Sequence, residues 1–186
     1  MIELIKWTES QKWNAIVKEF ENADTYYESQ YSISFMENED GAPYLLYYES
    51  QNVKLCYPII EKDISNFPAF RNKLTIGQYY DWSTPYGYGG PIANVKQLSQ
   101  AEQKKFKIEL YELARNRKVI SQFVRFHPLL QNQIVCSSVI ESEYVKDTIF
   151  VNLDTEDDLM VQMDTKNRNL IRKAIKNNVL IKHDRG

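Results

Sequence analysis

APYLLYYESQNVKLCYPII, residues 42–60, decides the fold. Two runs, 43–49 and 53–60, are rich in aromatic and β-branched side chains, and the polar Ser50-Gln51-Asn52 separates them. Such runs favour pleated strands, and a short polar break joins two of them as a hairpin. An antiparallel pair is therefore expected at the centre of a sheet. Upstream, 8–20 reads as a helix. Thr8 can cap it, Gln11 stands three residues later as in a capping box, and Trp13, Ile16, Val17 and Phe20 recur at helical spacing. Asn22-Ala-Asp24 breaks the pattern. Tyr26, Tyr27 and Tyr31 then lead into an expected short strand, 31–36, where they suit either the rim of the core or the wall of a cleft. A turn follows at 37–41.

Downstream of the hairpin, 67–70 reads as a loop or a short helical turn and 73–80 as another strand. Ser99 with Glu102 marks the start of a helix over 101–117, with Phe106, Leu110 and Leu113 as its buried stripe. Strands are expected at 119–126, 134–140 and 148–153. A last helix, capped by Asp154 or Thr155 with Asp158 completing the box, runs to about 178, and 179–182 begins a further strand. This order gives an α+β fold with a twisted, largely antiparallel mixed sheet. The absence of a βαβ alternation argues against a doubly wound parallel sheet.

A chain of 186 residues is about one domain with an extension. Hydrophobic residues at 43% and charged ones at 26% fit a globular protein, and a net charge of −2 argues against a DNA binder. The charge is uneven. From Lys166 onward seven cations stand against Asp184 alone, +6 in all, so residues 1–165 hold −8. That basic end can face an anion. Cys56 and Cys136 lie far apart in apolar runs and read as buried free thiols. No ligand spacing for a metal and no cofactor motif is found, so none is expected. MIELIKWTES does not read as a signal peptide, and no apolar run of about 18 residues could cross a bilayer, so a cytoplasmic location is expected.

Chemistry concentrates in YYDWSTPYGYGGP, 79–91, which holds three of the six glycines and two of the six prolines. Glycine permits unusual backbone angles and close approach, whereas proline fixes φ. Such a loop is a tyrosine-stapled turn or the backbone wall of a substrate pocket. There is no GxSxG, HExxH, GxxxxGK[ST] or GxGxxG, and the glycines here do not open a helix as a phosphate loop would. Asp81, just before the turn, can cap loop amides, act as a base or bind an amine. On an extended strand Phe123, Arg125 and His127 share a face, and a guanidinium beside an imidazole can hold a carboxylate or phosphate. The alternative is that Arg125 pairs with an acid at the core rim and His127 caps the turn before Pro128. In the last helix Lys166, Arg168, Arg172, Lys173 and Lys176 surround a thin apolar stripe of Leu159, Met163, Leu170, Ile171, Ala174 and Ile175. They form either a solvated face or a dock for an anionic polymer.

Three segments, DWSTPYGYGGP (81–91), RFHPLLQN (125–132) and DDLMVQMDTKNRNLIRKA (157–174), occur in an order that resembles Fem-like proteins. These are the peptidoglycan-bridge aminoacyltransferases and their GNAT-fold relatives in bacterial polysaccharide clusters. The resemblance spans about 26–181. It implies a GNAT-like α/β/α sandwich, with 1–153 as the first of two lobes and 154–186 as a basic connecting helix and the start of the next strand; the second lobe is not in this chain. It also implies transfer of an acyl group, often an amino acid from aminoacyl-tRNA, to an amine of a cell-wall or polysaccharide precursor, without metal or cofactor. The first lobe is then expected to bind the acceptor, a cell-envelope precursor or an amino sugar, with transient contact to a membrane surface and none to DNA. Under the resemblance Tyr86, Gly87, Tyr88, Gly89, Gly90, Arg125 and His127 become substrate-cleft residues, Arg168 and Arg172 become phosphate or backbone contacts, and Asp81 becomes the candidate base. Two other readings stay open. One is a CoA-dependent N-acetyltransferase of GNAT type, although its Q/R-x-x-G-x-G/A loop is not found. The other is a non-catalytic binding or scaffolding module.

Overall fold

A computed structural model describes residues 1–38, 41–153 and 159–182. The chain divides into two compact units, 1–145 and 146–186. In the first unit the hairpin is the middle of the sheet. β1 spans Ile2–Lys6, β2 Ala42–Glu49 and β3 Lys54–Asp63. β2 and β3 pair antiparallel from Ala42↔Glu61 to Glu49↔Lys54, and the Ser50 N–H donates to the Val53 carbonyl at 2.9 Å to close the turn. β1, which the sequence reading did not anticipate, pairs antiparallel on the outer side of β2. β4 (Tyr80–Ser83) pairs antiparallel with β3, β5 (Ile92–Ala93) pairs with β3 further along, and β6 (Val119–Phe123) lies parallel to β4. The fold is mixed α+β with an open, mostly antiparallel six-stranded sheet, as the strand composition implies.

Helices pack against this sheet through its alternating side chains. α1 spans Ser10–Val17, α2 Ser29–Ile33 and α3 Gln100–Asn116. The Ser99 side chain accepts from the Glu102 N–H at 3.3 Å, so α3 starts where its cap residues direct. Its buried Phe106 packs on Tyr48 with ring centroids 5.1 Å apart, and the Tyr48 hydroxyl donates to Glu102. Because α3 links β4 and β5 to β6, β6 can run parallel to β4; a parallel pair needs such a crossover. Next to Tyr48, Tyr47 and its partner Cys56 point to the opposite face of the sheet. On that side Trp13 of α1 donates to the Tyr27 carbonyl at 2.8 Å, and burial, then the charge of Glu19, pushes the Cys56 thiol well up. Leu45, Leu46, Leu55 and Ile59 are fully buried, each worth about 1.5–3 kcal/mol relative to exposure. Glu61, at the end of β3, is also buried. It accepts from Trp82 Nε1 (2.9 Å) and from Arg117 Nε (2.8 Å) and Nη2 (2.6 Å), and this full set of donors makes a carboxylate tolerable there.

Five expected strands are not strands. The segment at 31–36 is helical instead. Asn14 Oδ1 accepts from the Ser29 N–H at 3.0 Å to start α2, and Tyr31 stacks edge-on with Phe35 at 5.4 Å, the i, i+4 spacing of a helix face. At 73–80 the chain makes turns around Asn72 (φ 66°) and Gly77 (φ 76°), and β4 begins only at Tyr80. At 134–140 turns follow a single helical turn at Asn132–Ile134. Val135, Cys136 and Val139 are buried there at three- and four-residue spacing rather than by alternation. The residues 148–153 carry no strand, and neither do 179–182.

In the second unit the last helix is two pieces, α4 (Leu159–Gln162) and α5 (Thr165–Lys176). Asp164 caps α5, accepting from the Asn167 N–H at 2.7 Å. The expected caps Asp154, Thr155 and Asp158 lie outside the described residues. No helix among the described residues is long and apolar enough to cross a membrane.

Candidate functional site

β4 and β5 are two pieces of one interrupted strand along β3. Between Ile60↔Ser83 and Cys56↔Ile92, three residues of β3 (Tyr57, Pro58 and Ile59) face eight of the opposing segment, 84–91. The surplus chain must leave the ladder, and its glycines and prolines let it do so. The segment after β6 lies on its other side. The Thr84 N–H donates to the Phe123 carbonyl at 3.0 Å, the Gly89 N–H to the Arg125 carbonyl at 2.9 Å, and the Arg125 N–H to Thr84 Oγ1 at 3.1 Å. The loop therefore fills an opening in the sheet.

Three side chains from two other segments, 27–31 and the turn at Asn132, fix its backbone. The Tyr31 hydroxyl donates to the Tyr86 carbonyl at 2.7 Å, and the Tyr27 hydroxyl to the Gly90 carbonyl at 3.1 Å. Asn132 Nδ2 donates to the Gly89 carbonyl at 2.7 Å and to the Tyr27 hydroxyl, while its Oδ1 accepts from the His127 N–H at 2.9 Å. Burial pushes the Tyr27 hydroxyl far up, so it remains a neutral donor. Gly87 (φ +97°) and Gly90 (φ +85°) must be glycine. A Cβ at Gly87 would lie 2.7 Å from the Tyr26 ring, and one at Gly90 2.9 Å from the Phe126 ring.

Around this backbone stands a cluster of rings. Tyr26 meets Tyr31, Tyr88 and His127 edge-on at 5.0, 5.6 and 5.9 Å. His127 is buried, and both ring nitrogens are engaged. Nδ1 accepts from the Leu129 N–H at 3.2 Å, which places the proton on Nε2, and Nε2 donates to Asp24 Oδ2 at 2.8 Å. Arg125 differs. It is half-buried, its guanidinium lies over the Tyr86 ring (5.1 Å) and the Phe123 ring (5.8 Å), and no carboxylate pairs with it among the described residues. Face stacking leaves the in-plane N–H fork of a guanidinium open to a carboxylate or phosphate.

The structure thus brings Tyr86, Gly87, Tyr88, Gly89, Gly90, Arg125 and His127 together. Asp81 sits apart from the loop. Its Oδ1 accepts from the hydroxyl of Ser121, its partner in register on β6, and it makes no hydrogen bond to the loop among the described residues. Arg168 and Arg172 belong to α5 in the second unit, where they donate to Thr165 Oγ1 (3.1 Å) and Asn169 Oδ1 (3.3 Å). Sequence reasoning missed Asp24 and Asn132 as parts of the site. The visible signal was a polar Asn132 just beyond the apolar Pro128-Leu129-Leu130 run, and tyrosines 26, 27 and 31 repeating the loop's own chemistry. Two open cavities, 480 Å³ (Ser65, Asn66, Arg71, Asn72, Leu74, Ile76) and 290 Å³ (Glu61, Gly77, Tyr80, Asn116, Arg117, Lys118), are lined by none of the loop residues. No group of His, Cys, Asp or Glu suited to a metal ion occurs among the described residues.

No protein-family model matches the chain, and no curated protein or solved structure matches it either.

Proposed function

We propose that residues 1–153 form the acceptor-binding lobe of an acyl- or aminoacyltransferase of the Fem-like, GNAT-fold class, acting on an amine of a bacterial cell-wall or polysaccharide precursor. One observation carries this reading: Arg125, stacked on Tyr86 and Phe123 with no carboxylate partner among the described residues, borders a loop whose backbone is held by Tyr27, Tyr31 and Asn132. Cell-wall precursors and their sugars carry carboxylates and phosphates that a guanidinium fork recognises bidentately. The fold supports the same reading, since α1 and α3 approach a mixed sheet from opposite faces, as in a GNAT-like lobe.

In such a transfer the acceptor amine attacks the acyl carbonyl carbon. A C–N bond forms, the donor ester's C–O bond breaks towards its hydroxyl, and the amine proton leaves to a base. This chemistry rests on positioning and on stabilising the oxyanion rather than on a special nucleophile. Arg125 and Tyr86 hold and orient the acceptor in this reading. Asp81 is the candidate base, aminoacyl-tRNA the candidate donor, and Arg168 and Arg172 candidate phosphate contacts. A CoA-type donor is less well supported. The Gly89 N–H is already bonded to Arg125, and α3 starts nine residues beyond Pro91, so no helix start backs the loop as a pyrophosphate cradle requires.

A second reading, a binding module for an anionic partner, rests on α5, whose Lys166, Lys173 and Lys176 are exposed with no acid within the helix. The readings separate in one experiment. Arg125→Ala and Tyr86→Ala each abolish acceptor binding or transfer while the protein stays folded; wild-type behaviour in both variants would sink the transferase reading.

A further inference from the structure

We propose that the tip of the β3–β4 connection, residues 66–76, docks on an anionic lipid surface. This surface is separate from the glycine loop, and the inference does not rest on the transferase reading. The connection is 64–79, and the Ile64 N–H donates to the Tyr79 carbonyl at 3.1 Å to close its base. Asp63 holds that base together, accepting from the Ser65 N–H at 2.9 Å and from the Gly77 N–H at 2.6 Å. Every residue of 66–73 is exposed. Four consecutive apolar residues, Phe67, Pro68, Ala69 and Phe70, stand in that exposed run. Phe67 is 39% exposed, Phe70 44% and Ile76 83%. Four apolar residues in a row on a protein surface call for an occupant.

Charge selects the occupant. The sixteen residues 64–79 contain Arg71 and Lys73 and no Asp or Glu. Aromatic rings settle at the headgroup level of a bilayer, and nearby cations are attracted by anionic lipids. The backbone of the tip is also prepared for a low-water setting. The N–H groups of Phe67, Phe70, Arg71, Lys73 and Leu74 all donate to carbonyls within the loop, so seating the tip among headgroups leaves those donors satisfied.

The test is co-sedimentation of the protein with phosphatidylcholine vesicles, with and without about 30% phosphatidylglycerol. Binding is expected to the anionic vesicles only. Arg71→Gln and Lys73→Gln each weaken it about fivefold. Phe67→Ser with Phe70→Ser weakens it at least about tenfold. Tyr111→Ser, which removes a comparably exposed ring from α3, leaves it unchanged. Phe67 and Phe70 are 39% and 44% exposed, so a native circular dichroism spectrum of the double variant is the control for folding. Full-strength binding by the Phe67→Ser/Phe70→Ser variant would place the contact elsewhere, α5 included, and overturn the proposal. Failure of the wild type to bind anionic vesicles overturns it as well. So does a concentration-dependent dimer in sedimentation velocity that the same double variant abolishes, since the occupant would then be a second copy.

Discussion

Two loops flank β4, and they are held in opposite ways. The loop at 84–91 is fixed from outside, by Tyr27, Tyr31 and Asn132 reaching its carbonyls. The loop at 64–79 is fixed from within, by its own turns and by Asp63 at its base. The first keeps one geometry because two distant segments, 27–31 and the turn at Asn132, must move before it does. The second can lose its tip conformation while the sheet stays intact. Backbone placed against the core suits recognition of a small ligand, and a self-contained tip displaying apolar side chains suits a surface.

The largest effect that tests this contrast is expected from Asn132→Ala. It strips a buried donor from the Gly89 carbonyl and an acceptor from the His127 N–H, and should lower stability by about 3 kcal/mol in chemical denaturation. It should also degrade acceptor binding, because the loop backbone is then unsupported. Asp63→Ala should cost less, about 1–2 kcal/mol, by losing hydrogen bonds to a charged group. Acceptor binding at Arg125 should survive it, and loss of that binding would show that the two loops are not independent.

A pH experiment sharpens the same point. Desolvation pushes the Asp63 carboxyl up, but hydrogen bonds from Ser65 and Gly77 outweigh it and hold the group below its ordinary value of 3.8. A carboxyl depressed in the folded state stabilises above its unfolded pKa, and that contribution is lost as pH falls through the folded value. Proteolysis or amide exchange at 66–73 should therefore rise below about pH 3.8, and Asp63→Asn should remove the step. The smallest effect on stability is expected from Tyr86→Ala, under about 0.5 kcal/mol, because the ring is 73% exposed and only its carbonyl is held by the core.

Three strands of the sheet, β2, β3 and β6, were legible because their signals are local. The hairpin, expected over 43–60 and observed over 42–63, and the Ser99 cap follow from composition and spacing in single stretches. The misread segments are those where tertiary partners decide. Tyr31 and Phe35 look like strand residues until Asn14 caps Ser29 and starts a helix. The run 73–80 alternates like a strand, but Gly77 bends back to Asp63, fourteen residues away. The site was legible as chemistry, in the glycine loop and Arg125, but not as wiring. Nothing local says that His127 will engage Asp24 across 103 residues, or that Tyr27 will reach Gly90 across 63. Consequently the sequence leaves Arg125 and His127 as equals, whereas the fold commits both nitrogens of His127 and leaves the Arg125 guanidinium without a carboxylate among the described residues.

The most direct measurement is an NMR titration of the protein with a soluble, nucleotide-linked cell-wall precursor bearing phosphate and carboxylate groups, following the Arg125 side-chain Nε–H and the amides of Gly87 and Gly90. The account predicts that these resonances shift together in a saturable way, and that Arg125→Ala removes the response while the rest of the spectrum stays native. Shifts confined to residues outside this loop, or an unchanged response in Arg125→Ala, would contradict it.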